Sequence, residues 1–277
     1  MFSDPQKTLD RVEQLRTHPA SFEPPASIAR KVDITSRSSD GWTVFDVAPR
    51  SGGNPARALF LHGGCYVFEI DPLHWRFVAQ LVRETGVTIT VPIMPLAPSG
   101  RASVVVDRVA HIAQSLIADV GAANVSLIGD SSGGGMALAV AMELRDRKHE
   151  PLRAIVLSAP WLDISGTDPK LAEIAPSDPW LAVPGTKAAG ALYRAELPET
   201  DWRVSPIHGD LTNLGPVTVV TGTRDIVHAD ALRLLAKATK QGIPIDFHVG
   251  EGMIHNYPIL PIPEGAAARA VVAKAIR

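Results

Sequence analysis

The chain of 277 residues contains only one cysteine, Cys65. A single thiol excludes an intramolecular disulfide and leaves little for a metal site built from cysteines. No uncharged apolar run reaches the roughly 18 residues that a membrane span needs, so no membrane span is expected. The N-terminus lacks a basic start followed by an apolar core, so no secretory signal is expected and the cytoplasm is the expected location.

The chain also has little net charge. Its formal net charge is −2 at pH 7, and its mean hydropathy is +0.09. Without a basic excess there is no electrostatic reason to expect nucleic acid or an anionic membrane as a partner. The length suits one α/β domain with an insertion, or at most two small domains.

The chain contains a regular alternation of strand and helix patterns after an initial hairpin. Strands at 31–36 and 42–48 are joined by the turn residues 39–41. Further strands are predicted at 56–61, 87–91, 124–128, 152–157, 217–221 and 245–249, and helices at 5–17, 73–85, 102–118, 136–147, 229–241 and from 265 onward. This order predicts a mostly parallel central sheet with helices on both faces. Residues 165–202 interrupt the alternation with several prolines.

The most informative motif is a G-x-S-x-G sequence at residues 129–133, between a predicted strand and a predicted helix. Small residues around Ser131 permit a sharp, strained turn that exposes the serine hydroxyl above the carboxyl end of the sheet. The alternative is an ordinary strand–helix turn with a capping serine. The strand-turn-helix context favours Ser131 as a nucleophile.

A serine nucleophile needs a base to accept its proton, and the base needs a carboxylate to fix its tautomer. In this type of sheet these partners follow the serine in the order acid, then histidine, each after a later strand. Asp225 follows strand 217–221, and His255 follows the last strand through a flexible glycine-bearing turn at 250–254. A helix cap is the alternative role for Asp225. Asp230 is the alternative acid, expected on the following helix and facing away.

The strand at 56–61 ends in a glycine pair that suits the stabilisation of negative charge. Gly63 and Gly64 allow the backbone to approach a substrate with its N–H groups turned inward. The N–H of Ser132, directly after the nucleophile, supplies another donor for the oxyanion of acyl transfer. The alternative is a simple turn after a strand. His74, near the start of a predicted helix, is expected to be structural.

The HGG sequence at 62–64 and the GDSxGG sequence at 129–134 resemble the hormone-sensitive-lipase-like branch of the α/β hydrolases, the bacterial GDSAG esterases. The resemblance runs from about residue 31 to the C-terminus and includes residues 158–163, 205–206 and 252–255. It implies an α/β-hydrolase fold in a single domain spanning 1–277. It assigns nucleophile, acid and base to Ser131, Asp225 and His255. It assigns the oxyanion donors to Gly63, Gly64, Cys65 and Ser132.

The sequence departs from the family pattern at three places, and the third, at residues 94–99, suggests a divergent subgroup. Cys65 replaces the third glycine of HGGG, and Ser132 replaces the alanine after the nucleophile. Residues 94–99 lack the family's arginine and glutamate. The family also has a cap, which corresponds here to about 1–30 and 165–203. The candidate substrate-pocket residues are Tyr66, Trp161, Trp180, Leu181 and Ile226, with packing inside the cap as the alternative for the aromatic side chains.

Together these features predict a serine carboxylesterase that hydrolyses short-chain or small acyl esters through an acyl-serine intermediate. Its partner would be a small-molecule ester, and no metal or organic cofactor is expected. A homodimer is plausible by resemblance. A lactone, amide or formamide hydrolase with the same triad is an alternative, because pocket shape decides between them. A non-catalytic ligand receptor on the same fold is the remote alternative.

Overall fold

The computed structural model describes residues 2–277, so Met1, the first residue of the predicted cap segment 1–30, lies outside the described residues. One eight-stranded sheet has the order β1-β2-β4-β3-β5-β6-β7-β8. The strands are β1 Asp33–Ser39, β2 Trp42–Ala48, β3 Asn54–Leu61, β4 Val87–Pro92, β5 Val125–Asp130, β6 Ala154–Ser158, β7 Val217–Arg224 and β8 Ile245–Ile254. β2 pairs antiparallel with β1 and β4, and the other pairs are parallel. The predicted fold class is confirmed.

The α-helices described within residues 2–277 are α1 Pro5–Thr17, α2 Ala26–Ala29, α3 Pro72–Thr85, α4 Ala102–Val120, α5 Ser132–Asp146, α6 Lys170–Ile174, α7 Val183–Arg194, α8 His228–Lys240 and α9 Pro263–Ile276. Helices cover both faces of the sheet, and the central strands β5 and β6 are buried along their whole length. None of these described helices is long and apolar enough to cross a membrane.

Alternate residues of the central strands supply two separate hydrophobic clusters. Leu59 and Leu127 pack in the cluster that contains α4, α5 and α8. Phe60 and Ile128, the next residues on the same strands, pack in the cluster that contains α3 and α9. Side chains of a strand point to opposite faces in turn, so the two clusters lie on opposite faces of the sheet. This burial on both faces fixes the strand ends that carry the site.

Two of the predicted boundaries that differ from the structure lie next to the site. α5 was expected to begin at residue 136, but it begins at Ser132, directly after the candidate nucleophile. The glycine-bearing segment 250–254 was expected to be a flexible turn, but it continues β8 as far as Ile254. Its pairing with β7, through a register shift between Gly222 and Arg224, keeps it in the sheet.

The two segments predicted to form a cap contact each other. The Gly185 N–H in α7 donates to the carbonyl of Phe2 at 2.8 Å, just before α1. A Cβ at Gly185 would lie 2.5 Å from the Phe2 backbone, so only glycine permits this approach. The Phe2 ring meets the Phe68 ring edge to face, with centroids 5.9 Å apart. Segments 2–30 and 165–203 therefore meet beside the loop that follows β3.

Candidate active site

Ser131 occupies a sharp turn between β5 and α5. Its backbone has φ 54° and ψ −123°, a region that costs free energy for a residue with a side chain. A Cβ at Gly129 would lie 2.1 Å from the Gly133 carbonyl oxygen, and one at Gly133 would lie 2.0 Å from the Leu61 carbonyl oxygen. The small residues of the motif are therefore required by the close backbone packing that holds the turn in place.

Ser131, His255 and Asp225 form a continuous hydrogen-bonded chain. The Ser131 Oγ lies 2.9 Å from His255 Nε2, and His255 Nδ1 lies 2.8 Å from Asp225 Oδ2. Asp225 Oδ1 also accepts the backbone N–H of Val227 at 3.1 Å. The side chains of Ser131, His255 and Asp225 are all buried. The geometry allows Nε2 to accept the serine proton while Nδ1–H donates to the carboxylate.

The pairing of β7 with β8 explains how the acid and the histidine meet. Arg224 of β7 pairs with Ile254 of β8. Asp225 and His255 are the next residues along each strand, so both leave the same edge of the sheet at the same height. The extended strand, rather than a flexible turn, brings the imidazole to Ser131.

The electrostatics of the Asp225–His255 pair favour a basic imidazole. Burial acts to lower the pKa of His255, but the adjacent charge and hydrogen bond of Asp225 outweigh it and raise that pKa above its ordinary value. Burial also raises the pKa of Asp225, and attraction to His255 offsets only part of that rise. A raised imidazole pKa makes His255 a stronger acceptor for the serine proton.

The loop after β3 contains three consecutive left-handed residues, with φ 119° at Gly64, 54° at Cys65 and 65° at Tyr66. A Cβ at Gly64 would lie 2.5 Å from the Phe68 carbonyl oxygen, so glycine is required there. The Tyr66 N–H donates to Ser132 Oγ at 3.3 Å, which ties this loop to the residue after the nucleophile. Residues 63–66 are called the oxyanion loop below.

One predicted oxyanion donor is already occupied. The Gly63 N–H donates to Asp130 Oδ1 at 3.0 Å, in contrast to the expectation that it faces a substrate oxygen. The remaining predicted donors are the N–H groups of Gly64, Cys65 and Ser132. Burial raises the pKa of the Cys65 thiol to about 12, so this side chain is a neutral thiol at physiological pH.

The candidate pocket residues differ in burial. Tyr66 and Trp161 are buried, with ring centroids 5.7 Å apart. Trp161 and Ile226 line one small cavity. Leu181 is buried as well, whereas Trp180 is 46% exposed. Trp180 is therefore the most exposed of the five candidates, and its part in a pocket wall stays a prediction.

Sequence reasoning missed a buried carboxylate next to the nucleophile. Asp130 is fully buried, and its Oδ2 lies 3.3 Å from His74 Nε2 and accepts from Asn256 Nδ2 at 2.6 Å. His74 lies near the start of α3, as expected, and it contacts the site through Asp130. The available signal was adjacency, since Asp130 precedes Ser131 and Asn256 follows the candidate base.

The alternative acid, Asp230, has other partners. It lies on α8 as expected, but it is buried, and its Oδ2 accepts the N–H groups of Leu162 and Asp163 at 2.8 and 3.0 Å. Burial raises its pKa to about 7. Its carboxylate therefore holds the loop after β6, whereas Asp225 holds the imidazole.

The chain is similar to known α/β hydrolases. A family model described as alpha/beta hydrolase fold matches residues 58–259. A triacylglycerol lipase of Mycobacterium tuberculosis is 30% identical over 222 residues, which are 80% of this chain and 46% of the relative. The chain thus spans about half the length of that relative. An acetyl-hydrolase of Streptomyces hygroscopicus is 31% identical over 229 residues, which are 79% of this chain and 74% of the relative.

Solved structures share the whole fold. A protein from Staphylococcus aureus superposes with a TM-score of 0.93 at 26% identity, covering 100% of this chain and 94% of the other. An esterase/lipase from an uncultured bacterium has the same fold, with a TM-score of 0.82 at 22% identity, covering 98% and 97% of the two chains. The chain therefore belongs to the α/β hydrolase fold family, in its hormone-sensitive-lipase-like branch.

Proposed function

We propose that this chain is a carboxylesterase for small acyl esters, with Ser131 as nucleophile, His255 as base and Asp225 as the acid that orients the base. The observation that carries the proposal is the chain of contacts at 2.9 and 2.8 Å from Ser131 Oγ through His255 to Asp225. The strained backbone at Ser131 supports the same assignment.

In the proposed reaction, Ser131 Oγ attacks the ester carbonyl while His255 Nε2 accepts its proton. The tetrahedral intermediate collapses when the C–O bond to the alcohol breaks, and the imidazolium returns the proton to the departing oxygen. Water then attacks acyl-Ser131 with His255 again as base, which releases the carboxylic acid and restores the serine hydroxyl. Asp225 remains ionised and stabilises the imidazolium formed in each half.

The proposed oxyanion donors are the backbone N–H groups of Gly64, Cys65 and Ser132. The left-handed conformations of Gly64 and Cys65 support this assignment, because they turn successive amides of the oxyanion loop to one side. Each donor would stabilise the oxygen that becomes negative in the tetrahedral intermediate. The loss of one such donor typically lowers the rate on the order of 10²- to 10³-fold.

Two observations support a preference for short acyl groups. Ser131 is only 3% exposed. The small cavity that touches Gly63 in the oxyanion loop has a volume of about 10 Å³, roughly the space that one water molecule needs. Its walls include Met94, Met136 and Tyr193. A long acyl chain would have to displace these side chains or the segments 2–30 and 165–203, the proposed cap.

The proposal is tested with p-nitrophenyl acetate, butyrate and octanoate on wild type, Ser131→Ala and Ser126→Ala. Ser126 is the matched control, since it is a buried serine of β5, the strand that precedes Ser131, and its hydroxyl has no partner among the described residues. We expect turnover and a mass increase of one acyl group in wild type and Ser126→Ala, fastest on acetate or butyrate, and neither in Ser131→Ala.

A folded wild type without turnover on any of these esters would contradict the proposal. A matched pair of an ester and an anilide measures the alternative chemistry. Faster cleavage of the anilide would favour an amidase, because amide cleavage depends more strongly on protonation of the leaving group.

A further inference from the structure

We propose that the Asp130 carboxylate is a junction that holds the oxyanion loop and the base-bearing loop against the nucleophile turn, and that His74 and Asn256 are positioning residues acting through it. The inference rests on the proposed function, because it assigns these residues a part in the same reaction. Three donors from distant parts of the chain meet on this one carboxylate.

Asp130 is the last residue of β5 and directly precedes Ser131. Its carboxylate is fully buried, so each of its hydrogen bonds replaces one lost to water. Oδ1 accepts from Gly63 N–H at 3.0 Å, and Oδ2 accepts from Asn256 Nδ2 at 2.6 Å and lies 3.3 Å from His74 Nε2. Loops after β3 and β8 and the first turn of α3 therefore converge on the residue before the nucleophile.

The contact with Gly63 connects the junction to oxyanion stabilisation. A Cβ at Gly63 would lie 2.4 Å from Asp130 Oδ2 and 2.9 Å from the Ser131 Cβ. The backbone of the oxyanion loop thus lies directly against the carboxylate and the nucleophile. Since Gly64 and Cys65 follow immediately, a rotation of the Asp130 carboxylate would shift their N–H groups.

The contact with Asn256 connects the junction to the base. Asn256 follows His255 and has a left-handed backbone with φ 52°, which asparagine tolerates better than most residues. Its side-chain nitrogen is held by Asp130, while its Oδ1 has no partner among the described residues. The amide donor, rather than the whole side chain, links the base-bearing loop to the nucleophile turn.

The two ring nitrogens of His74 have different partners. Nε2 contacts the Asp130 carboxylate, and Nδ1 takes part in the cap of α3. The Nδ1 atom lies 3.1 Å from both the backbone nitrogen and Oδ1 of Asp71. Burial acts to lower the pKa of His74, but the charges of Asp130 and Asp71 outweigh it and raise that pKa to about 10. The resulting positive charge compensates the buried carboxylate, whose own pKa is lowered by His74 against the effect of burial.

Loss of the Asp130 contacts would lower kcat more than it would change substrate binding. The oxyanion donors stabilise charge that develops during reaction, so their displacement lowers kcat more than it changes substrate binding. A boronic acid, whose adduct with Ser131 places a tetrahedral oxygen among these donors, would lose affinity in parallel. A residue that only stabilises the fold would leave both quantities unchanged in the folded protein.

The experiment compares wild type with His74→Leu, His74→Gln, Asn256→Gly and Thr90→Val. Glycine suits the left-handed backbone at position 256, and glutamine keeps an N–H donor at position 74. Thr90→Val is the matched control, because it removes a partly buried hydrogen bond of 2.6 Å to Asp46 in the sheet. For each variant we measure kcat and KM on p-nitrophenyl acetate, phenylboronic acid affinity and Tm.

We expect His74→Leu and Asn256→Gly to lower kcat about tenfold to a hundredfold, less than the loss of a whole oxyanion donor. KM should change less than about threefold, boronic acid affinity should fall with kcat, and His74→Gln should recover most of kcat. Thr90→Val should keep the wild-type kcat and boronic acid affinity, with a Tm comparable to those of the other variants. If His74→Leu does not fold, Asn256→Gly decides alone.

An active wild type with unchanged kcat in folded Asn256→Gly and His74→Leu would overturn the junction and leave the esterase proposal standing. The same holds if Thr90→Val loses as much kcat as they do. A wild type without ester turnover would overturn the proposed function and this inference with it.

Discussion

The ring of Tyr193 stacks on the ring of Tyr66, with centroids 3.7 Å apart and planes at 7°. Tyr66 belongs to the oxyanion loop, and Tyr193 belongs to α7 in segment 165–203, so the two segments are in direct contact. Tyr193 is almost fully buried, yet its hydroxyl has no partner among residues 2–277. The contact is therefore one of ring packing.

Two substitutions of Tyr193 distinguish the contribution of its ring from that of its hydroxyl. Tyr193→Phe should keep the activity and leave the free energy of unfolding unchanged or raised by about 1 kcal/mol, because it removes an unpaired buried group. Tyr193→Ala should lose about 3–5 kcal/mol and enlarge the cavity beside Gly63. Urea unfolding and the octanoate-to-acetate ratio of kcat/KM measure the two effects. An unchanged ratio in Tyr193→Ala would contradict the proposed acyl limit.

The two candidate acids are distinguished by matched amides. Asp225→Asn should lower kcat on the order of 10⁴-fold, since the amide cannot hold the required tautomer of His255. Asp230→Asn removes a buried carboxylate whose contacts are to the loop after β6, so kcat should remain within a few fold. The measurement is steady-state kcat on p-nitrophenyl acetate. Equal losses in the two variants would argue against Asp225 as the acid.

The pH profile should report the raised pKa of His255. The base acts only when its imidazole is neutral, so kcat/KM falls as the pH drops through this pKa. Because Asp225 raises it, the midpoint of the acid limb should lie above 6.5, the ordinary histidine value. In Asp225→Asn the raising charge is gone, and the midpoint should move to lower pH. A wild-type midpoint at or below 6.5 would be inconsistent with the pair.

A methyl group at Gly129 should prevent the nucleophile turn from forming. It would lie 2.1 Å from the Gly133 carbonyl oxygen, so Gly129→Ala should destabilise the protein by about 3 kcal/mol or more and abolish activity. Gly53→Ala is the control, because a Cβ there meets no atom within 4 Å. Its stability should stay within about 0.5 kcal/mol of wild type. Urea unfolding curves of the two variants test the difference, and similar curves would refute it.

The Cys65 thiol should be unreactive in the folded protein. Burial raises its pKa to about 12, and its side chain is only 3% exposed. A thiol-specific disulfide reagent should therefore titrate no thiol in buffer and one thiol in urea. Esterase activity should survive the same reagent. Rapid native labelling with loss of activity would show that the oxyanion loop opens readily.

Local patterns predicted much of the fold and of the site. Apolar alternation and turn residues located every strand of the sheet, with differences mainly at the ends, because side-chain periodicity and turn chemistry act over a few residues. The glycines around Ser131 indicated the strained turn for the same reason. Asp225 and His255 followed from the chain order that a parallel sheet imposes on loops at its carboxyl edge.

Contacts between distant segments could not be read from such patterns. The use of the Gly63 N–H by Asp130 joins residues 67 positions apart. The exposure of Trp180 depends on how segment 165–203 packs, and its composition did not reveal that. The extension of β8 to Ile254 depends on pairing with β7, which retains glycines that would otherwise favour a turn.

The sequence by itself determined where the backbone must turn sharply and which residue types stand at those turns, because these constraints arise from sterics between near neighbours. Only the tertiary structure decided the pairing of Arg224 with Ile254, which sets Asp225 beside His255. It also decided that Asp130 gathers donors from Gly63, His74 and Asn256. These contacts depend on strand order, register and the burial of a charge, and they form only when the whole sheet has formed.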